Sequence, residues 1–177
     1  MKKISISKIP FLALCLLGSS VVYSQTSKDA IAKLDLSSLS SKQKMEIIPE
    51  GAISTLNEKA VTVFNTKFTN ATNIVWATIG KNMPYVYFET PGKKHRAAFN
   101  KKGTLLYTIS YYHEAQLPSD VLFQVKDTYF GKSIFCVTEV NVNDKTAYLI
   151  ILEDKTSWLH IKIVGEEMVV EHVYTKG

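Results

Sequence analysis

Four histidines, one cysteine outside the N-terminal region and a few adjacent carboxylates are the residues here with reactive potential. Their spacing assembles no familiar catalytic site. His113-Glu114 begins like a zinc-protease helix, but no second histidine follows at the required interval. A Gly-x-Ser-x-Gly elbow is absent. His95, His113, His160 and His172 are spread over strand-like segments and a linker, whereas zinc needs three or four converging ligands. His160 and His172 fall on neighbouring strands, and the simplest two-residue hairpin register turns them to opposite faces. Cys136 sits in the apolar run Ile134-Phe135-Cys136-Val137, without the exposure and cationic neighbour that activate a thiol. Glu153-Asp154 and Glu166-Glu167 lie in turn-like positions, where solvation explains them. The chemistry legible in the chain is that of a non-enzyme with no metal and no implied cofactor.

What remains is a surface. Trp158, His160 and Lys162 alternate with Leu159, Ile161 and Ile163, so one set faces a core and the other faces out. Arg96 and Asn100 take the matching positions in an earlier part of the chain. A tryptophan ringed by His, Lys and Arg on an open sheet face suits a partner-binding platform, because interfaces favour Trp, Tyr and Arg.

The elements that would position this surface fall into four spans. Residues 1–24 read as a signal peptide: Lys2, Lys3 and Lys8 precede the apolar stretch Ile9 to Val22, which is too short to span a bilayer. Val22-Tyr23-Ser24 places cleavage before Gln25. Leu14 precedes Cys15 where a lipobox wants a small residue, so the chain does not read as a lipoprotein. Residues 25–52 read as a flexible arm: Ser37-Ser38, Ser40-Ser41 and several lysines lead to a turn at Pro49-Glu50-Gly51. Residues 53–114 and 115–177 then form two similar halves, with no further segment able to span a membrane as a helix. The formal charge of +5 falls to about +2 once the leader lysines leave, and the remaining basic residues are scattered. That argues against nucleic acid as a partner. Cys136 is then the only cysteine, so no internal disulfide forms.

Each half reads as one helix followed by four strands. The first helix is expected from Ser54 to Phe68, with Ser54 as cap and Ala60, Val61, Phe64 and Phe68 as its apolar face. Strands follow at Ile74 to Ile79, Tyr85 to Glu89, Lys94 to Asn100 and Leu105 to Tyr112. Asn100-Lys101-Lys102-Gly103 suits a turn closed by a left-handed glycine. Simple alternation puts Ala97, Phe99, Leu105, Tyr107, Ile109 and Tyr111 on one, core-facing side. The second helix starts at Pro118 and buries Val121, Leu122, Val125 and Tyr129. Its strands are Ile134 to Val142, Ala147 to Leu152, Ser157 to Val164 and Met168 to Tyr174. Phe68 matches Phe130, Gly103 matches Gly165 and Tyr112 matches Tyr174 at one constant offset. The expected fold class is α+β: two tandem α-β-β-β-β repeats forming one antiparallel sheet of about eight strands, with both helices on one face.

Several of these motifs carry a resemblance. Asn73-Ile74-Val75-Trp76, Tyr85-Val86-Tyr87-Phe88, Ala97-Ala98-Phe99-Asn100-Lys101-Lys102-Gly103 and Leu117-Pro118 before a helix resemble exported PepSY-like proteins, also described as similar to β-lactamase-inhibitor proteins. The resemblance covers residues from about 57 to 177. It implies tandem helix-plus-sheet repeats in a periplasmic or surface-located protein. Most such proteins have no assigned activity, and the inhibitor label is a likeness of fold that transfers no functional residue.

The sequence therefore points to an exported, periplasmic or secreted, non-enzymatic binding or inhibitor-like module. It would hold a protein or peptide of the cell envelope on its exposed sheet face. The competing reading is an envelope carrier of a small ligand or metal, motivated by the histidines and the tyrosine-rich strands.

Overall fold

The computed structural model describes residues 45–80 and 83–177. The expected signal peptide, its cleavage point and residues 25–44 of the expected arm lie outside the described residues. Among the described residues the chain is α+β, with nine strands in one antiparallel sheet and two α-helices. Strands β1 (Met45–Ile47), β2 (Thr72–Ile79), β3 (Met83–Thr90), β4 (Lys93–Phe99) and β5 (Leu105–Tyr112) are followed by β6 (Ser133–Val142), β7 (Lys145–Glu153), β8 (Ser157–Val164) and β9 (Glu167–Thr175). They stand side by side in chain order. Helix α1 (Glu58–Lys67) precedes β2, and α2 (Ser119–Thr128) precedes β6.

The ninth strand is the short β1, at the end of the segment expected to be an arm. Met45 and Ile47 pair with Ile79 and Ala77 and extend the sheet by one edge. The first helix also starts later than expected. A 3-10 segment occupies Glu50–Thr55, and the cap falls on Asn57 rather than Ser54. The Asn57 side chain accepts from the Ala60 amide at 3.2 Å and donates to the Lys101 carbonyl at 2.9 Å. One residue thus caps α1 and fastens it to the β4–β5 turn.

Both helices lie on the same face of the sheet, each over its own apolar cluster. Under α1, Phe64 meets Trp76 and Phe88 edge-on, with ring centroids 5.3 and 5.1 Å apart. Phe64 is 1% exposed. Under α2, Val121 and Val125 pack with Val137, Ile150, Leu152, Leu159, Ile161 and Ile163. The matched aromatics part company here. Phe68 packs into the first cluster, whereas Phe130 is 96% exposed.

Bulges decide which side chains face the helices, and three of the sheet's four register shifts matter most here. Between β4 and β5, Phe99 pairs with Leu105 while Ala98 pairs with Tyr107, leaving Leu106 as an extra residue. A one-residue insertion reverses every later side chain. Tyr107, Ile109 and Tyr111 therefore join Ala98, Arg96 and Lys94 on the outer face, and Thr108, Ser110 and Tyr112 turn toward the helices. This corrects the expected core side of β5. Phe135 is the extra residue between β6 and β7. Glu171 is the extra residue between β8 and β9.

Candidate functional site

The outer face carries two aromatic groups. In the first, Arg96 of β4 lies between Tyr87 of β3 and Tyr111 of β5, with its guanidinium carbon 5.5 and 5.0 Å from their ring centroids. Stacking on flat rings suits the delocalised guanidinium. Tyr85 meets Tyr87 edge-on at 5.1 Å. Burial pushes the phenols of Tyr85 and Tyr107 up, so both remain neutral hydrogen-bonding groups at ordinary pH. Tyr87, Glu89, Lys94, Arg96 and Tyr111 border a depression of about 340 Å³.

In the second group, Trp158 of β8 meets Phe135 edge-on at 4.8 Å and lies 4.2 Å beneath the Lys176 ammonium. Trp158 pairs with Tyr174, and His160 pairs with His172. The expectation that the two histidines face opposite ways is thus corrected. The Glu171 bulge resets the register, and their rings lie 6.2 Å apart on one face. His160 also approaches Tyr174 at 5.0 Å. Lys162 follows on the same face, 3.9 Å from Glu171. Asn100 stands apart from these residues. It lies in the β4–β5 turn, where its side-chain oxygen accepts from the amides of Lys102 and Thr104 at 2.9 and 3.0 Å. Its role there is to shape the turn.

The other reactive residues have structural partners. Glu153 is 3.0 Å from Lys176, and Asp154 pairs with Lys132. The Lys132 ammonium, with the amides of Thr156 and Ser157, holds the Asp154 carboxyl well below the usual range. Cys136 is half-buried opposite Ile151, and burial pushes its thiol up. No group of three or more metal-ligating side chains converges among the described residues. No helix among them is long and apolar enough to cross a membrane.

The helix-covered face holds polar residues that sequence reasoning missed. The two apolar clusters do not merge, and the floor between them is built from His95, Thr108, Ser110, Glu139 and Asn141. Thr108 and Ser110 are buried. His95 stacks on Phe88 at 4.7 Å, and its ring nitrogens lie 2.7 Å from the Thr90 hydroxyl and 2.9 Å from the Ser110 hydroxyl. Burial, reinforced by Lys93, lowers its pKa against the opposing pull of Glu139, so the ring tends to stay neutral. Glu139 accepts from Tyr112 at 2.6 Å and from Asn141 at 2.7 Å. Lys93 lies 3.6 Å from the same carboxylate and 4.0 Å from the Tyr112 ring centroid. Burial alone would push the Glu139 carboxyl up. The donors from Tyr112 and Asn141 and the Lys93 charge outweigh it and hold the pKa below its ordinary value. The sequence signal for this cluster was the Thr-x-Ser-x-Tyr alternation at Thr108, Ser110 and Tyr112, which reads as an outer face until the Leu106 bulge is known.

No family model matches the chain. No curated protein matches it either. Solved structures do. A BLIP-like protein from Bacteroides fragilis superimposes with a TM-score of 0.52 at 15% identity, covering 68% of this chain and 86% of that one. The fold is BLIP-like. A DUF2874 family protein from Bacteroides ovatus gives a TM-score of 0.51 at 13% identity, covering 68% of this chain and 87% of that one. A candidate periplasmic protein from Bacteroides eggerthii gives 0.50 at 14% identity, covering 68% and 88%. At these identities the likeness is one of fold, and the BLIP-like label assigns no residue of this chain a role.

Proposed function

We propose that this protein is an exported, non-enzymatic binding module that holds a protein or peptide partner on the sheet face turned away from its helices. The observation that carries the reading is the composition of that face. Arg96 between Tyr87 and Tyr111, and Trp158 between Phe135 and Lys176, supply the residue types that dominate interface energetics. The BLIP-like neighbour and the candidate periplasmic neighbour support the same reading. Export follows from the leader, with removal before Gln25, and no lipid anchor is part of the proposal. The two halves, α1 with β2–β5 and α2 with β6–β9, are proposed to be copies of one PepSY-like unit, doubled because one short helix cannot cover the whole sheet.

The test is recovery of a partner from the native cell envelope with wild-type bait, followed by titration with Trp158→Ala and Arg96→Ala. A central interface Trp carries about 2 kcal/mol or more of binding. The reading predicts at least a tenfold loss of affinity in one variant, by about 1.4 kcal/mol per decade, with little change in the denaturation midpoint. Unchanged affinity in both variants would remove this face as the binding site.

A further inference from the structure

Beside α1 the polar floor opens into a cleft of about 840 Å³, within the roughly 300–1,000 Å³ range of small-molecule sites. Its location follows from the core. The first apolar cluster ends at Val63, Phe68 and Leu105, and beyond them a groove remains between α1 and the distal β6–β7 turn.

One wall is a stripe of α1. Lys59, Val63 and Lys67 follow one another at four-residue spacing and all line the cleft. Eight residues of helix separate the two lysines by about 12 Å along the axis. Neither lysine has an acidic partner among the described residues. Phe68, Leu105 and Leu106 add apolar surface. The acids present are Glu139 and Asp144. Glu139 is already engaged by Lys93, Tyr112 and Asn141. The lysines of α1 are thus offset only by Asp144 in the turn.

The floor supplies the second, independent observation. Thr108 is 7% exposed, and its hydroxyl has no hydrogen-bond partner among the described residues. Its neighbours are all engaged: Ser110 with His95, Asn141 with Glu139 and Thr146. Leaving one buried hydroxyl unsatisfied is unfavourable, and such groups in native proteins call for an explanation. A ligand that accepts from Thr108 would remove the cost.

We propose that this cleft beside α1 binds a small amphiphilic carboxylate, whose head accepts from the Thr108 hydroxyl and is drawn by Lys59 and Lys67, and whose apolar part lies on Val63, Phe68, Leu105 and Leu106. The carboxylate is preferred over a neutral ligand because two unpaired ammonium groups flank the apolar stripe. The apolar part is needed because a bare anion would leave that stripe uncovered. The site lies on the opposite side of the sheet from Trp158 and is independent of the partner-binding face.

The experiment is calorimetric titration of the full mature chain, at low ionic strength, with octanoate, octanol and butyrate as probes. The site predicts octanoate binding, with octanol and butyrate each at least about tenfold weaker, since each loses either the charge or the apolar area. Thr108→Val should weaken octanoate about tenfold, and Thr108→Ser, which keeps the hydroxyl, should restore it. Lys59→Gln with Lys67→Gln should weaken octanoate without altering the octanol signal. Trp158→Ala should leave octanoate binding unchanged. Absence of octanoate binding up to about 1 mM, equal affinity for octanol, or equal affinity in Thr108→Val and the wild type would each overturn the assignment. Loss of octanoate binding in Trp158→Ala would also overturn it, by placing the ligand on the other face.

Discussion

Thr108 of β5 pairs with Ala97 of β4, on the sheet face that the helices cover. Plain alternation groups Ala97 with Tyr107, Ile109 and Tyr111 instead. The single extra residue, Leu106, exchanges the two sets. It sends three large side chains to the outer face and places two small hydroxyls and Tyr112 beneath the helices. Both candidate surfaces depend on that exchange.

Deleting Leu106 should therefore be far more damaging than its exposed position suggests. Without the bulge, Tyr107, Ile109 and Tyr111 would be driven toward the helices, and Ser110 and Tyr112 would lose His95 and Glu139. The expected loss is about 3 kcal/mol or more. Chemical denaturation checks it, and a deletion variant with the wild-type midpoint would show that β5 does not have this register.

Phe64 is the keystone of the first cluster. Its ring meets those of Phe68, Trp76 and Phe88, all within 5.4 Å between centroids. Truncation to Ala removes these edge contacts and leaves a cavity, at a cost of about 3–5 kcal/mol. A measured loss below about 1 kcal/mol would be inconsistent with a fully packed position.

Gly103 and Gly165 occupy matched turns but should respond differently to alanine. Both have positive φ, 77° and 62°, which costs any alanine about 1–2 kcal/mol. A Cβ on Gly165 meets nothing within 4 Å. A Cβ on Gly103 would come within 2.5 Å of the Asn57 side-chain oxygen and 2.8 Å of the Ala60 amide nitrogen. Gly103→Ala should thus exceed Gly165→Ala by about 1 kcal/mol or more, because it also disturbs the cap of α1. Equal midpoints for the two variants would refute the close approach of turn and helix.

Stability should fall with acid in two windows. Glu139 has a folded pKa below its unfolded value, so its contribution is fully present above the unfolded carboxyl pKa, about 4.3. It is lost as pH falls through the lower folded value. His95 also has a lowered folded pKa. Its contribution is present above about 6.5 and is lost as pH falls through its folded value. Glu139→Gln should flatten the lower window, and His95→Gln the upper one. Unfolding free energies measured across both windows test this, and an unchanged pH dependence in both variants would contradict it.

Much of the architecture was legible in the chain. The eight expected strands and both helices occur, the first helix starting only at Glu58, because alternation and helical spacing are local properties of a sequence. Burial of Phe64 and Val125, and the inward set Leu159, Ile161 and Ile163, follow from the same local pattern. The outward orientation of Trp158, His160 and Lys162 is its complement. Asn57 was harder to identify as the cap, because its side chain is fixed by the Lys101 carbonyl, 44 residues away in sequence.

Three features belonged to tertiary structure alone. β1 forms only because β2 offers it an edge, and three residues carry no strand signal of their own. The pairing of His160 with His172 and the polar floor at Thr108 and Ser110 depend on bulges at Glu171 and Leu106. A bulge is settled by how two strands fit together, and counting residues along either strand does not locate it. Because side chains alternate with period two, one unlocated residue reverses every assignment beyond it. Local pattern thus determined the elements of this protein, and strand-to-strand register decided which chemistry each face presents.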